Sequence, residues 1–342
     1  MATDITLPDP GVILDLLEAF RRSKVLFAAV SLGVFDALQA EPKPLAALAK
    51  ELLANEGALE RLLDAAVGLG LLSRAANGYQ NTPLAATYLT RSSPHRFTGY
   101  LNFSNNALWK MWEHLEDAVR EGSNRWKQTY GWDGPIFSHF FSNEEMKNEF
   151  LMGMHGFGLV SSPQVVSAFD LSRFRHFVDL GGATGHLAIA ACQRYVSLRA
   201  TVFDLPEAMP LAHEIVGASS VADRIELKAG DFFTDPLPDA DLFAVGRILH
   251  DWSEERIRLL LRKMYDRLPV GGALLIAEKL LAEDKNGPRW ALMQSLNMLV
   301  CTDGKERTLS EYETLLKEAG FVDVQGCRNP GPLDAVLAFK RG

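Results

Sequence analysis

Residues 177–195 read FVDLGGATGHLAIAACQRY, and this stretch decides the fold. Four residues of strand character, FVDL, run into a glycine-rich turn, and an amphipathic helix, HLAIAACQRY, follows at once. Glycines at such a turn let the backbone approach a ligand and adopt angles that a Cβ forbids. The N-terminus of the following helix favours an anionic group. A dinucleotide fingerprint needs a third glycine where this chain has His186, so that template fails. A glycine turn with no ligand stays open on these residues alone.

Reading outward toward the C-terminus, short apolar strands alternate with helical segments: ATVFDL, IELKA, DLFAVG and ALLIAE. That alternation predicts a parallel sheet covered by helices. Two last strands, FVDVQGC and LDAVLAFK, are separated only by RNPGP, a link too short for a parallel crossover and suited to an antiparallel hairpin. The expected fold class is α/β: a Rossmann-like, mostly parallel seven-stranded sheet with a C-terminal antiparallel hairpin, the layout of an S-adenosylmethionine (SAM)-dependent methyltransferase. Two further cofactor elements stand in order. Asp204 ends the second strand and can accept hydrogen bonds from both ribose hydroxyls. Gly230-Asp231-Phe232-Phe233 follows the third, offering an acid for an adenine amino group and an apolar surface for its ring. Gly181 and its neighbours would then face the methionine carboxylate of SAM.

Toward the N-terminus the texture changes. Up to about residue 165 the apolar residues recur at helical spacing, so residues 1–165 are read as one helical domain and 166–342 as the second. Within the first, the helices PLAALAKELL and EGALERLLDAAVGLG precede a hairpin, LLSRAANGYQNTP, with its turn at Asn77-Gly78. Helix, helix, wing is an arrangement often used to read DNA. Here the second helix carries Glu56, Glu60 and Asp64 against Arg61, and an acidic helix is repelled from a phosphate backbone. The segment ILDLLEAFRRSKVLFAAVSLGVFDAL (13–38) is apolar over more than one helical face and calls for burial, within its own domain or against a second subunit.

The bulk properties agree. A net charge of −8 over 342 residues disfavours nucleic acid. No apolar run reaches the ~18 residues of a membrane span. The start, MATDITLPDPG, lacks the pattern of a signal peptide, so a cytoplasmic protein is expected. Cys192, Cys301 and Cys327 form no CxxC pair, and no metal is expected.

The candidate for chemistry is His250, in Arg247-Ile248-Leu249-His250-Asp251-Trp252-Ser253 after the fourth strand. Methyl transfer to oxygen needs an in-line nucleophile. A free phenol has a pKa of about 10 and a free imidazole about 6.5, so complete prior proton transfer costs about 5 kcal/mol. The proton must leave as the methyl arrives, or the site must close that gap. General-base help is worth ~10²–10⁴ in rate, and orientation roughly 7–11 kcal/mol. The histidine needs an acid partner to fix its tautomer. A purely structural histidine is the competing reading of this residue taken alone.

The ordered set DLGGATG, VFDLP, GDFFTDPLP, RILHDWSEE and SLNMLVCTDGKERT resembles the acetylserotonin (hydroxyindole) O-methyltransferase family, and more broadly the plant-type small-molecule O-methyltransferases. The resemblance spans the second half and agrees in layout with the first. It implies a SAM-dependent O-methyltransferase acting on a small aromatic hydroxyl-bearing substrate. It implies His250 as base, with Glu278 and Glu306 as the carboxylates flanking it. Asp251, Asn297, Met298 and Cys301 would border the substrate. Gly181, Asp204, Gly230, Asp231, Phe232, Arg247 and Phe141 would hold the cofactor. The first domain would form a homodimer, with 13–38 a dimer element. The chain departs from the family pattern at Ala183, a glycine in relatives; at Phe141, a tyrosine; at Gly158, a tryptophan; and at Cys301, a glutamine that contacts the substrate amide. The last two weaken the match to an N-acetylserotonin pocket.

Other residues read more plainly. His186 suits a surface or capping role, and Glu254-Glu255 complement a helix N-terminus. His139 and His155 lie in an aromatic-rich segment expected to line the pocket, and Met152 and Met154 are read as packing residues. Two competing functions use the same residues: a SAM-binding protein without methyl transfer, and a SAM-responsive winged-helix DNA-binding protein.

Overall fold

In a computed structural model, residues 7–134, 136–141 and 143–342 are described. Two compact units form, one up to Asn106 and one from Ala107 onward. The division of packing thus falls well before the change of sequence texture near 165. Residues 107–165 are helical like the first unit, yet their contacts are with the second.

The first unit begins with α1 (Gly11–Ser31), α2 (Val34–Ala37), α3 (Leu45–Glu51) and α4 (Glu56–Gly68). The hairpin β1 (Leu72–Ala75) and β2 (Gly78–Asn81) follows, then α5 (Pro83–Tyr88) and α6 (Thr98–Phe103). Asn55 caps α4 by accepting from the Ala58 N–H at 3.0 Å. The helix–helix–wing layout is present, with the turn one residue earlier than expected, because Ala75 pairs with Gly78. Gly78 belongs to the strand, where a Cβ would strike the Lys43 carbonyl as Lys43 bridges to Tyr79. The core gathers Val34, Phe35, Leu48, Leu59, Leu63 and Leu72. Along α1 the first half is not covered within the single chain: Val12, Ile13, Leu14, Leu16, Leu17 and Phe20 are 55–75% exposed, whereas Ala29 and Val30 are buried.

The second unit opens with α7 (Trp109–Trp112), α8 (Leu115–Glu121), α9 (Trp126–Tyr130), α10 (Ile136–Phe140) and the long α11 (Glu144–Ser167). Then come β3 (His176–Leu180), α12 (His186–Arg194), β4 (Arg199–Asp204), α13 (Met209–Gly217), β5 (Ile225–Ala229), β6 (Leu242–Gly246), α14 (Glu254–Arg267) and β7 (Ala273–Glu278). The chain ends with α15 (Arg289–Cys301), α16 (Leu309–Glu318), β8 (Val322–Cys327) and β9 (Asp334–Phe339).

The seven strands form one sheet in the order β5-β4-β3-β6-β7-β9-β8. The first five are parallel, and β9 runs antiparallel to both β7 and β8. Side chains of β3, β6 and β7 alternate between two cores. Val178, Phe243 and Ile276 pack with Leu260, Leu261 and Leu316 of α14 and α16, and Phe177, Leu242 and Leu275 pack with Leu187 and Ala191 of α12. Burial on both faces explains why these strands read as near-continuous apolar runs. The carboxyl ends of the parallel strands therefore share one edge, and the strand order reverses between β3 and β6, where a ligand crevice is expected. Among the described residues, no helix is long and apolar enough to cross a membrane.

Candidate active site

The β3–α12 turn is shaped for close approach. Gly181 sits at φ +67°, and Ala183, where the resemblance implies glycine, is also left-handed at φ +48°. Holding a non-glycine residue there costs about 1–3 kcal/mol. One compensation is visible: the Ala183 N–H donates to Asp204 Oδ2 at 2.7 Å, while the Leu205 N–H donates to Oδ1, also at 2.7 Å. Asp204 is thus locked at the end of β4. Burial raises its pKa to about 6, and the two backbone donors oppose the rise. Asp179, on the neighbouring strand, rises to about 7 through burial and then the Asp204 charge, and its Oδ2 lacks a hydrogen-bond partner.

A Cβ added at Gly181 would run into Ile248 and touch the Phe232 ring, so the glycine turn, the β6 loop and the β5 loop meet there. The β5 loop is itself tied down. The Phe233 N–H donates to Asp231 Oδ1 at 2.8 Å, and Lys263 Nζ donates to the carbonyls of Phe232 (2.9 Å) and Phe233 (3.1 Å). The Gly230 N–H donates to the Asp204 carbonyl at 2.9 Å. Phe141 and Ala183 pack on one small apolar cluster with Leu151 and Met209. Arg247 has φ +59°, lays its guanidinium 4.7 Å from the Phe157 ring centroid, and keeps a buried Nη1 without a hydrogen-bond partner. A cradle that side chains would fill and an unmet buried cation nitrogen fit a ligand with an anionic end, as SAM has.

His250 lies in a short turn after β6 and is 4% exposed. Its Nδ1 donates to Glu306 Oε1 at 2.6 Å, which leaves Nε2 as the atom able to take a proton. Asp251 Oδ1 stands 3.7 Å from Nε2, beyond direct hydrogen bonding. Burial alone would depress this imidazole. The charges of Glu306, Asp251 and Glu278, with the Glu306 hydrogen bond, outweigh it and raise the pKa to about 9. Burial raises Asp251 to about 6.

Glu278, at the end of β7, lies in the same cluster as the His250 ring, and its hydrogen bonds go to the backbone of the turn. Its Oε1 accepts from the backbone N–H groups of Ile248 (3.2 Å) and His250 (3.1 Å), so it holds the turn that carries the imidazole. Its Oε2 accepts from the Tyr312 hydroxyl. Burial pushes Glu278 up to about 7. Arg307, 1% exposed, donates from Nη1 to the carbonyls of Leu249 (3.4 Å) and Lys305 (3.0 Å). Sequence reading missed Tyr312 and Arg307. Their one signal is the capping box of Thr308 and Glu311, which places Tyr312 one turn into α16. His250, Glu278 and Glu306 bring ligand-type atoms within 4.8 Å of one another. A zinc ion bound at ~2.0–2.2 Å to each would need the 2.6 Å Nδ1–Oε1 bond to open. The trio is a hydrogen-bonded acid–base cluster.

On the other side, Asn297 Oδ1 accepts from the Trp112 indole N–H at 2.9 Å and from the Cys301 thiol at 3.6 Å. An indole nitrogen only donates, so the amide oxygen is spent there and the NH₂ is what Asn297 has left to offer. The Trp126 indole donates to the Cys301 carbonyl at 2.8 Å. Met298 is buried, and its carbonyl accepts from Thr302.

His186 is not the surface residue expected. Its Nδ1 lies 2.9 Å from Ser162 Oγ, and a Cβ at Gly158 would collide with its ring. The imidazole fills the place that the glycine vacates. Burial, then His155 and Arg247, lowers its pKa to about 3. His155 Nδ1 lies 2.9 Å from Thr184 Oγ1, and the His139 side chain lies outside the described residues.

Gly304 makes the closest approach: a Cβ there would overlap the His250 carbonyl and the Trp252 N–H. Both neighbours are backbone and cannot swing aside. Gly304→Ala should therefore cost about 1–3 kcal/mol and displace the His250 turn. Thermal melting should show a lower Tm, and an unchanged Tm would refute this account of the turn.

Comparison with known proteins bears on the chain's family and fold. The O-methyltransferase domain model matches residues 112–322, and the O-methyltransferase dimerisation domain model matches 14–91. The chain is 40% identical over 337 residues to the bovine acetylserotonin O-methyltransferase, covering 96% of this chain and 97% of that one. It is also 40% identical over 336 residues to a human protein described as a probable bifunctional dTTP/UTP pyrophosphatase/methyltransferase, covering 97% of this chain but only 54% of that protein's length. The crystal structure of human N-acetylserotonin methyltransferase in complex with SAM superposes with a TM-score of 0.92 at 38% identity, over 99% of this chain and 100% of that one. By these matches the chain belongs to the O-methyltransferase family.

Proposed function

We propose that this O-methyltransferase, with SAM as methyl donor, methylates the hydroxyl of a small phenolic or hydroxyindole-like metabolite, with His250 as general base. The observation that carries the reading is the buried His250–Glu306 pair, set beside the glycine turn at the carboxyl edge of the sheet. SAM supplies a methyl group activated on a positively charged sulfur. Gly181, Asp204, Gly230, Asp231, Phe232, Phe141 and Arg247 bind the donor. His250 Nε2 takes the hydroxyl proton, Glu306 stabilises the resulting imidazolium, and Asp251, Asn297 and Cys301 border the acceptor. An Asn297 that offers N–H groups suits an oxygen gaining negative charge as its proton leaves.

The raised pKa serves this step. A base at about 9 lies one unit below a phenol at about 10, so the transfer is uphill by about 1.4 kcal/mol instead of the ~5 kcal/mol for a free imidazole. The corresponding cost is that only about one imidazole in a hundred is neutral at pH 7. Because the base form exists above its pKa, kcat/KM should rise with pH through about 9. Replacing Glu306 by Gln removes the largest raising charge, so the limb should move to lower pH and the plateau rate should fall. With a panel of phenols, His250→Ala should lose roughly 10²–10⁴ in kcat. A His250→Ala variant as fast as the wild type would end the base assignment.

The donor site is tested separately by calorimetry with S-adenosylhomocysteine. Wild type should bind, and Asp204→Ala should bind at least tenfold more weakly, about 1.4 kcal/mol. No binding to the wild type would overturn the donor reading.

The exposed apolar face of α1, within the region matched by the dimerisation model, supports a homodimer formed through the first unit. Residues 107–165 act with the catalytic unit, through Trp112 on Asn297 and Trp126 on Cys301. Light scattering should find a dimer in the wild type and a monomer in Leu16→Lys/Phe20→Lys. A double variant that remains dimeric would place the interface elsewhere.

A further inference from the structure

We infer that Tyr312 is a positioning residue for the base: its phenol hydroxyl holds Glu278 under the backbone turn that presents His250, and so sets the basicity of the imidazole. The inference rests on the reading of His250 as base.

Tyr312 is fully buried in the core between α14, α16 and the sheet. A buried phenol hydroxyl needs a partner, and this one donates to Glu278 Oε2. The other carboxylate oxygen accepts the Ile248 and His250 N–H groups. Glu278 therefore receives three donors, two from the turn and one from the phenol. Hydrogen bonds donated to a carboxylate favour its charged form, against the burial that disfavours it. Glu278 in turn is one of three carboxylates that raise His250, with Glu306 and Asp251. Removing the phenol would leave a buried oxygen without its donor. The carboxyl would then hold a proton to higher pH, its field on the imidazole would weaken, and the turn would lose part of its anchor.

Other charged and titratable groups face this set. Arg307 caps the Leu249 carbonyl, lies 6.0 Å from the Tyr312 ring centroid, and faces Glu278, Glu254 and Glu311. Arg247 and the Cys301 thiol face Asp251. Tyr312→Phe alters none of these and keeps the ring in its packing.

The test is Tyr312→Phe followed by two readouts. Ring-nitrogen NMR, with the His250 signal assigned against His250→Ala, should show the imidazole pKa lowered by roughly half a unit to one unit. The rising limb of kcat/KM against pH should move to lower pH by the same amount. An unchanged His250 pKa with only a lower Tm would overturn the inference and leave Tyr312 as packing. A shifted His250 pKa with an unmoved kinetic limb would support the Tyr312–Glu278–His250 linkage and overturn His250 as base. Should Tyr312→Phe not fold, 3-fluorotyrosine at 312 keeps the shape and makes the phenol a stronger donor. The His250 pKa should then rise, and no change would overturn the inference.

Discussion

One carboxylate oxygen, Glu278 Oε1, takes the N–H groups of both Ile248 and His250, and the active edge of the sheet is arranged around that shared bond. A buried carboxylate is expensive unless its lone pairs are met. Here the turn supplies two donors and Tyr312 a third. The position of Glu278 is not free to drift. Its strand is paired on one side with β6 and on the other with β9 as far as Glu278 opposite Asp334. Asp334 itself is fully buried and bound by Lys279 at 2.9 Å and by the Leu280 N–H at 3.0 Å. The placement of His250 thus comes from a strand inside the sheet, through one carboxylate, to a turn that would otherwise be an ordinary loop.

That turn is held from both sides. Arg307 accounts for a carbonyl of the turn, Glu278 for two of its N–H groups, and Gly304 admits the backbone of the GKERT loop against the His250 carbonyl. The same loop carries Glu306, so the residue that fixes the imidazole tautomer arrives with Gly304 and Arg307 on one segment, while Glu278 comes from β7. Electrostatics follow from the packing. Burial would make His250 a weak base, and the three carboxylates brought around it make it a strong one. An imidazolium formed there is stabilised where it arises, without waiting for water to reorganise.

Much of this was legible in the sequence because it depends on local pattern. Apolar strands buried on both faces read as continuous runs; the glycine turn follows one of them, Asp204 ends another, and Gly230-Asp231 follows the half-exposed edge strand β5. His250 and Glu306 were legible through the family resemblance, since nothing local joins residues 56 positions apart. Tyr312 was not, because an aromatic residue in an amphipathic helix looks like packing until a carboxylate is found at its hydroxyl. The first half of α1 was read as needing cover from its own domain or from a second subunit, and its exposure in the single chain is in keeping with the second: apolar periodicity says that a face will be covered, not which chain covers it. His186 does begin α12, as read, but it looked like a surface residue because the sequence does not show that α11 brings Gly158 against its ring.

The departures from the family pattern share a character that bears on specificity. Ala183 keeps the left-handed turn and ties its N–H to Asp204, so the donor side retains its shape with one added methyl group. Gly158 removes a side chain from α11, and the His186 imidazole occupies the space, held by Ser162 and kept neutral by burial. Cys301 turns its thiol to Asn297, next to the Trp112 indole, so a residue that could have reached a polar group of the acceptor is engaged within the protein. None of these changes touches the hydrogen bonds among His250, Glu306, Glu278 and Tyr312. Under the proposed role of His250, these changes bear on which acceptor fits and not on proton removal, because positioning would be set by the wall and proton removal by the cluster behind it.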